Sequence, residues 1–160
     1  ENAAHGFDST CQALRVLAAR YGSRLEVHFP AHPTPTVQTI VGRYLMDIPG
    51  VRVTPPLGYR AFVHAMSRAT LILTDSGGVQ EEAVYLGKPV LVLRDETERV
   101  EGVAHGAAVI VGTHPERIVQ ETSRLLDDPD ARVQMARERL LYGDGHAADR
   151  IVAALHDRLR

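Results

Sequence analysis

At 160 residues the chain is long enough for one domain with a real core and short for a two-domain enzyme. Hydrophobic residues at 44%, charged residues at 24%, 13 Gly and 9 Pro exclude the disordered and fibrous classes. A formal charge of −2 provides no general field for nucleic acid or an anionic membrane, so neither partner is expected and any anionic ligand must be held locally.

Cys11, Leu14, Leu17, Ala18 and Tyr21 recur at three- and four-residue spacing, which predicts an amphipathic helix capped by Asp8 or Ser9 and ended by Gly22. Leu25 to Phe29 alternates as a strand that stops at Pro30, and Thr34-Pro35 opens a helix running to about Met46. A short strand, Val51 to Thr54, breaks at Pro55-Pro56 and precedes a helical stretch from about Arg60 to Ser67. Thr70 to Thr74 and Pro89 to Leu93 are nearly continuous apolar runs, the pattern of strands buried on both faces of a parallel sheet. Between them lie Gly77-Gly78 and a helix ending at Gly87. Ala107 to Val111 predicts a fifth strand, and Thr113 with Glu116 a capping box for a helix through about Leu126. From Asp130 to Arg160 the chain reads as helix, interrupted at Tyr142 to Gly145. Five strands alternating with helices predict an α/β fold, a doubly wound, Rossmann-like parallel sheet in a three-layer sandwich around one core.

The single cysteine, Cys11, excludes an internal disulfide framework and a cysteine-rich zinc site, and suits a reducing compartment. It lies on an apolar stripe and reads as inert core. No residues show metal-ligand spacing, so neither a metal nor another cofactor is expected. No apolar run approaches the roughly 20 residues that span a bilayer, and no signal peptide is recognisable. A soluble, cytoplasmic protein is therefore expected. The chain opens on Glu1 rather than methionine, which suggests that an upstream portion has been removed.

Ligands of open α/β sheets bind beyond the carboxyl ends of the strands. Thr74 to Ala83 occupies such an end. Ser76 can cap the following helix, and Gly77-Gly78 let a bulky anion approach backbone N–H groups that the helix leaves unpaired. Glu82, four residues after Gly78, shares its helical face about 6 Å along the axis. Its carboxylate could accept from the hydroxyls of a ribose lying beyond a diphosphate; the plain alternative is a tight turn with solvated glutamates. Arg94 to Arg99 follows the next buried strand, where Arg94 or Arg99 could pair with phosphate oxygens, or the loop could simply hold internal ion pairs. His32 lies at a helix entrance, as an anion donor or as one of several surface histidines. Phe62 and Tyr59, near another strand end, read either as core or as a face for a base.

Asp75 to Ala83, Leu86 to Asp95, Thr97-Glu98-Arg99 and Glu101 together resemble the non-hydrolysing UDP-N-acetylglucosamine 2-epimerases. The likeness runs from Glu1-Asn2, similar to the end of the family's His-Arg-Arg-Glu-Asn motif, to Tyr142-Gly143-Asp144-Gly145 and the closing helix. It covers the C-terminal half of the family's protein. The resemblance implies one half of a glycosyltransferase-B type fold: residues 1–160 as the C-terminal UDP-binding domain, with the N-terminal domain and its catalytic carboxylates absent from this chain. It implies that Ser76, Gly77 and Gly78 bind the diphosphate, Glu82 the ribose and Arg99 the phosphates, with Phe62 near uracil. Glu1 and His32 match residues that hold a second UDP-N-acetylglucosamine as allosteric activator. No catalytic residue is carried over to this chain.

The activity implied is C2 inversion to UDP-N-acetylmannosamine for surface polysaccharide, by anti elimination of UDP to a 2-acetamidoglucal and re-addition, in a full-length homodimer. The isolated portion is expected to be inactive. A glycosyltransferase donor-binding domain and a non-catalytic nucleotide-sugar sensor are the competing classes. Thr34, Gly58, Ala61 and Val100 stand where the family has Asn, Asp, Pro and Pro.

Overall fold

The computed structural model describes residues 2–137 and 140–158, with side chains from residue 6 onward. In chain order the elements are α1 (Asn2–Tyr21), a 3-10 turn (Gly22–Arg24), β1 (Val27–Pro30), α2 (Pro35–Tyr44), β2 (Val51–Thr54) and α3 (Tyr59–Arg68). They continue with β3 (Ile72–Thr74), α4 (Gly77–Tyr85), β4 (Val90–Val92), α5 (Val100–Ala104), β5 (Ala108–Ile110), α6 (Pro115–Asp127), α7 (Pro129–Met135) and α8 (Ala147–Arg158).

All the strand pairs are parallel. Their hydrogen bonds form two ladders, β1-β2 and β3-β4-β5. Val27 pairs with Val51 in the first; Ile72 pairs with Val90, and Val90 with Ala108, in the second. Side chains join the ladders, because Leu73 of β3 packs into the cluster that also holds Val27, Phe29, Val51 and Val53. The strands are short, and few backbone bonds hold them. Fixing their place therefore falls to the apolar side chains on both faces.

β4 sets the layering. Successive strand side chains point to opposite faces. Leu91 accordingly packs with Ala13 of α1 and Ile118 and Leu125 of α6. Its neighbours Val90 and Val92 pack the other way, with Ala83 and Val84 of α4 and Val103 of α5. Helices thus cover both faces of the strands, giving three layers.

Most expected elements are present, and the differences have local causes. α1 begins at Asn2, ahead of the expected Asp8 or Ser9 cap; Thr10 turns its hydroxyl back to the Gly6 carbonyl at 3.0 Å inside the helix. α6 begins at Pro115 with His114 in the cap position and no side-chain cap bond, so the Thr113–Glu116 capping box does not form. A proline at the first helical position supplies the helical φ and lacks an N–H to satisfy. α7 follows at once because Asp128 caps it, accepting from the N–H groups of Asp130 and Ala131 at 3.0 Å. It ends at Met135, so the break before α8 is longer than Tyr142 to Gly145. α5, five residues long, has no counterpart among the expected helices.

α4 ends cleanly. Gly87, at φ +66°, supplies the left-handed residue past the helix, and its N–H reaches the Val84 carbonyl at 2.9 Å. That turn delivers the chain into β4, one strand over from where the helix began.

Candidate functional site

β3 and β4 are paired in parallel, with Thr74 opposite Val92 and the Leu93 N–H on the Thr74 carbonyl at 2.9 Å. The segments leaving their carboxyl ends are therefore side by side. From β3 the chain turns at Asp75, where the Ser76 N–H donates to the Thr74 hydroxyl at 3.1 Å, and enters α4. From β4 it continues into the charged segment Arg94 to Arg99.

Ser76 stands at the cap position of α4 in extended conformation, yet its hydroxyl makes no cap bond. The first internal bond of the helix runs from the Gln80 N–H to the Ser76 carbonyl at 3.1 Å. The N–H groups of Gly77, Gly78 and Val79 precede it and have no place in the helical ladder. The helix dipole adds favourable potential for an anion there.

The two glycines serve different ends. A Cβ at Gly77 would lie 2.5 Å from Glu98 Oε1 and 3.6 Å from the Arg99 guanidinium. Gly78 would meet nothing within 4 Å, so its missing side chain leaves open space rather than relieving a clash. The Arg99 head group is thus beside the turn. Its Nε forms an ion pair with Glu81 Oε1 of α4, without the angle of a hydrogen bond.

Glu98 sits between two arginines, with Oε2 3.0 Å from Arg94 Nη1 and Oε1 3.7 Å from Arg99 Nη1. A hydrogen bond from its own backbone N–H, then the charges of Arg94 and Arg99, hold its carboxyl below the usual glutamate range. The internal ion pairs and the arginine at the turn, Arg99, therefore occur together in one segment.

Glu82 lies one helical turn past Gly78, and its Oε2 is buried with no hydrogen-bond partner among the described residues. A buried acceptor of this kind is expected to find a donor. Burial pushes the Cys11 thiol up to about 12, with Asp8 adding to the shift, so it stays neutral at physiological pH.

Phe62, half-buried in the first turn of α3, follows the β2 end. His32 is exposed past β1, with its carbonyl accepting from Gln38 Nε2 at 3.1 Å. Among the described residues, neither makes a hydrogen bond or ion pair with the Ser76–Gly78 turn. Tyr59 is 70% exposed, which removes the core reading for it. Glu1 lies outside the described residues.

The residues read from the motif leave out Glu81, which holds Arg99, and the pair Gln80 and Thr97. Gln80 is fully buried, and its Oε1 accepts from the Thr97 hydroxyl at 2.7 Å. Its spacing carried a signal: three residues after Gly77, it lies close to that residue's face of α4.

Parallel strands with helices on both faces, and a helix start with unpaired N–H groups at the strand ends, define an α/β protein of Rossmann-like type. The model of the UDP-N-acetylglucosamine 2-epimerase family matches residues 1–156, and the chain belongs to that family. A UDP-N-acetylglucosamine 2-epimerase of Yersinia pestis is 47% identical over 150 residues, 94% of this chain and 40% of its own length. One of Escherichia coli K12 is 45% identical over 155 residues, 97% of this chain and 41% of its own length.

Among solved structures, the S. aureus MnaA-UDP co-structure superposes with a TM-score of 0.91 at 36% identity, covering 96% of this chain and 42% of that one. UDP-GlcNAc 2-epimerase from Neisseria meningitidis, bound to UDP-GlcNAc, gives 0.89 at 38%, covering 95% and 41%. The fold is the α/β half of the glycosyltransferase-B type. The chain spans about two fifths of the length of these relatives.

Proposed function

We propose that this chain is the UDP-gripping domain of a UDP-N-acetylglucosamine 2-epimerase. The observation that carries the reading is the meeting of the α4 start with Arg99 at the ends of two paired strands. The Ser76 hydroxyl and the N–H groups of Gly77 and Gly78 take the diphosphate, and Arg99 adds a charge-assisted bond. The buried Glu82 oxygen accepts from the ribose.

C2 inversion by elimination and re-addition breaks and remakes the bond from C1 to UDP. Negative charge develops on the leaving diphosphate, and donors fixed in place beforehand stabilise it. Moving the C2 proton requires acid/base groups. We assign these to a further, N-terminal domain, in keeping with relatives more than twice as long as this chain. These residues alone then bind UDP and do not epimerise. Phe62 against uracil, and His32 with Glu1 at an activator site, rest on the family motifs. The full protein acts as a homodimer in the cytoplasm.

Calorimetry with UDP tests the site. Arg99→Ala and Glu82→Ala should each weaken binding by about 1.5 to 3 kcal/mol, the usual worth of a hydrogen bond to a charged group. Unchanged affinity in a folded variant removes that residue from the site. For the activity, full-length protein given UDP-N-acetylglucosamine and no acceptor should yield UDP-N-acetylmannosamine; a product only on adding an acceptor would mark a glycosyltransferase.

A further inference from the structure

Gln80 is a polar amide in a place made for an apolar side chain. It is fully buried on α4 next to Ala83 and Val84, which pack onto Val90 and Val92 of β4. A leucine or methionine there would fill similar volume without desolvating an amide. Its Nε2 has no hydrogen-bond partner among the described residues, so core satisfaction does not explain it. The bond it makes, through Oε1, goes to the Thr97 hydroxyl.

Thr97 passes the contact on. Its Oγ1 donates to Gln80 Oε1 at 2.7 Å and accepts from the Arg99 backbone N–H at 3.1 Å. Donor and acceptor roles of the hydroxyl are both used, which fixes its direction. Arg99 needs such a tether. Its backbone, at φ −94° and ψ 59°, belongs to neither helix nor strand, and its neighbours Glu98 and Val100 are exposed. The Tyr142 hydroxyl, 3.0 Å from the Gly102 N–H and 3.5 Å from the Arg99 carbonyl, secures the other side.

We propose that Gln80 and Thr97 are positioning residues: a buried relay from α4 to the Arg99 backbone that sets the guanidinium beside Gly77. The helix that presents N–H groups to the diphosphate thereby also registers the arginine, so both halves of the anion site move as one body. The proposal rests on the reading of Arg99 as a UDP ligand.

UDP calorimetry on four variants tests it, with thermal melting to verify folding. Thr97→Val keeps the shape and removes both bonds; it should weaken UDP about three- to tenfold, the worth of one or two neutral hydrogen bonds. Thr97→Ser keeps the hydroxyl and should restore the original affinity. In an Arg99→Ala background, Thr97→Val should cause no further loss, whereas a merely structural role would repeat its effect there. Gln80→Met, which preserves the buried volume, should reproduce Thr97→Val.

Unaltered affinity in Thr97→Val, or an equal loss with and without Arg99, overturns the relay while leaving the UDP reading intact. Unaltered affinity in Arg99→Ala overturns that reading, and the purpose of the relay with it.

Discussion

The Glu98 carboxylate lies at the Gly77 turn, where the proposed reading places the diphosphate. It approaches the Cβ position of Gly77 and pairs with Arg94 and Arg99. Its pKa lies below the usual range, so it stays ionised as pH falls through that range, and its pairs are lost only lower, through the depressed value. If Arg99 grips the diphosphate as proposed, the ionised carboxylate competes with it for that arginine at neutral pH. Glu98→Gln should tighten UDP binding about two- to fivefold, in line with the small worth of exposed ion pairs. The gain should shrink as salt screens the pairs. Titration calorimetry at two ionic strengths measures both, and weaker binding in Glu98→Gln would show that the carboxylate holds the arginines in place for UDP. The residue-scale roles were unevenly legible. The placement of Ser76, Gly77 and Gly78 at the start of α4 was legible because an N-cap type and two glycines after a buried strand have local meaning, although the Ser76 hydroxyl makes no cap bond. The Gln80–Thr97 bond spans 17 residues and depends on the pairing of β3 with β4, which no local pattern encodes.

At the scale of elements, the start of α4 is poor for helicity, which fits the ligand role proposed for it. Two glycines in its first turn are poor helix formers. Gly78 has open space where a Cβ would be and lacks a positive φ, so nothing among the described residues demands a glycine there. Gly78→Ala should leave the melting temperature unchanged or raise it, with a gain of up to about 1 kcal/mol from helix propensity. The added methyl should nonetheless weaken UDP binding, because it fills the space over the N–H groups. Melting and calorimetry on the same sample separate the effects; retained UDP affinity would show that the ligand does not pass close to Gly78.

The same contrast explains which elements were legible. The apolar runs of β3 and β4 and the periodicity of α1 carry their own signals. α5 is too short to show a helical period, and the start of α6 went to Pro115 rather than to the capping-box residues.

For the whole molecule, the slight negative charge supplies no general field for an anion, so the proposed UDP site rests on local geometry: one helix start, the proposed relay and arginines held by glutamates. Stability is equally local. Leu91, Ile118 and Leu125 are wholly buried between the strands and α1 and α6. α8 has no buried residue, and its Ile151, Val152 and Leu155 are 54–60% exposed. Its Arg150 pairs with Asp144 of the exposed loop that precedes it, a local ion pair and a weak contributor. Leu91→Ala should therefore cost about 2 to 5 kcal/mol through lost burial and the cavity left behind. Ending the chain before Ala147 should cost less than about 1 kcal/mol, the scale of surface changes. Urea unfolding of the 160-residue chain and both variants measures the two effects together. A truncation as damaging as Leu91→Ala would mean that α8 belongs to the same cooperative unit as the strands, and that its apolar face is held against the body of the protein in solution.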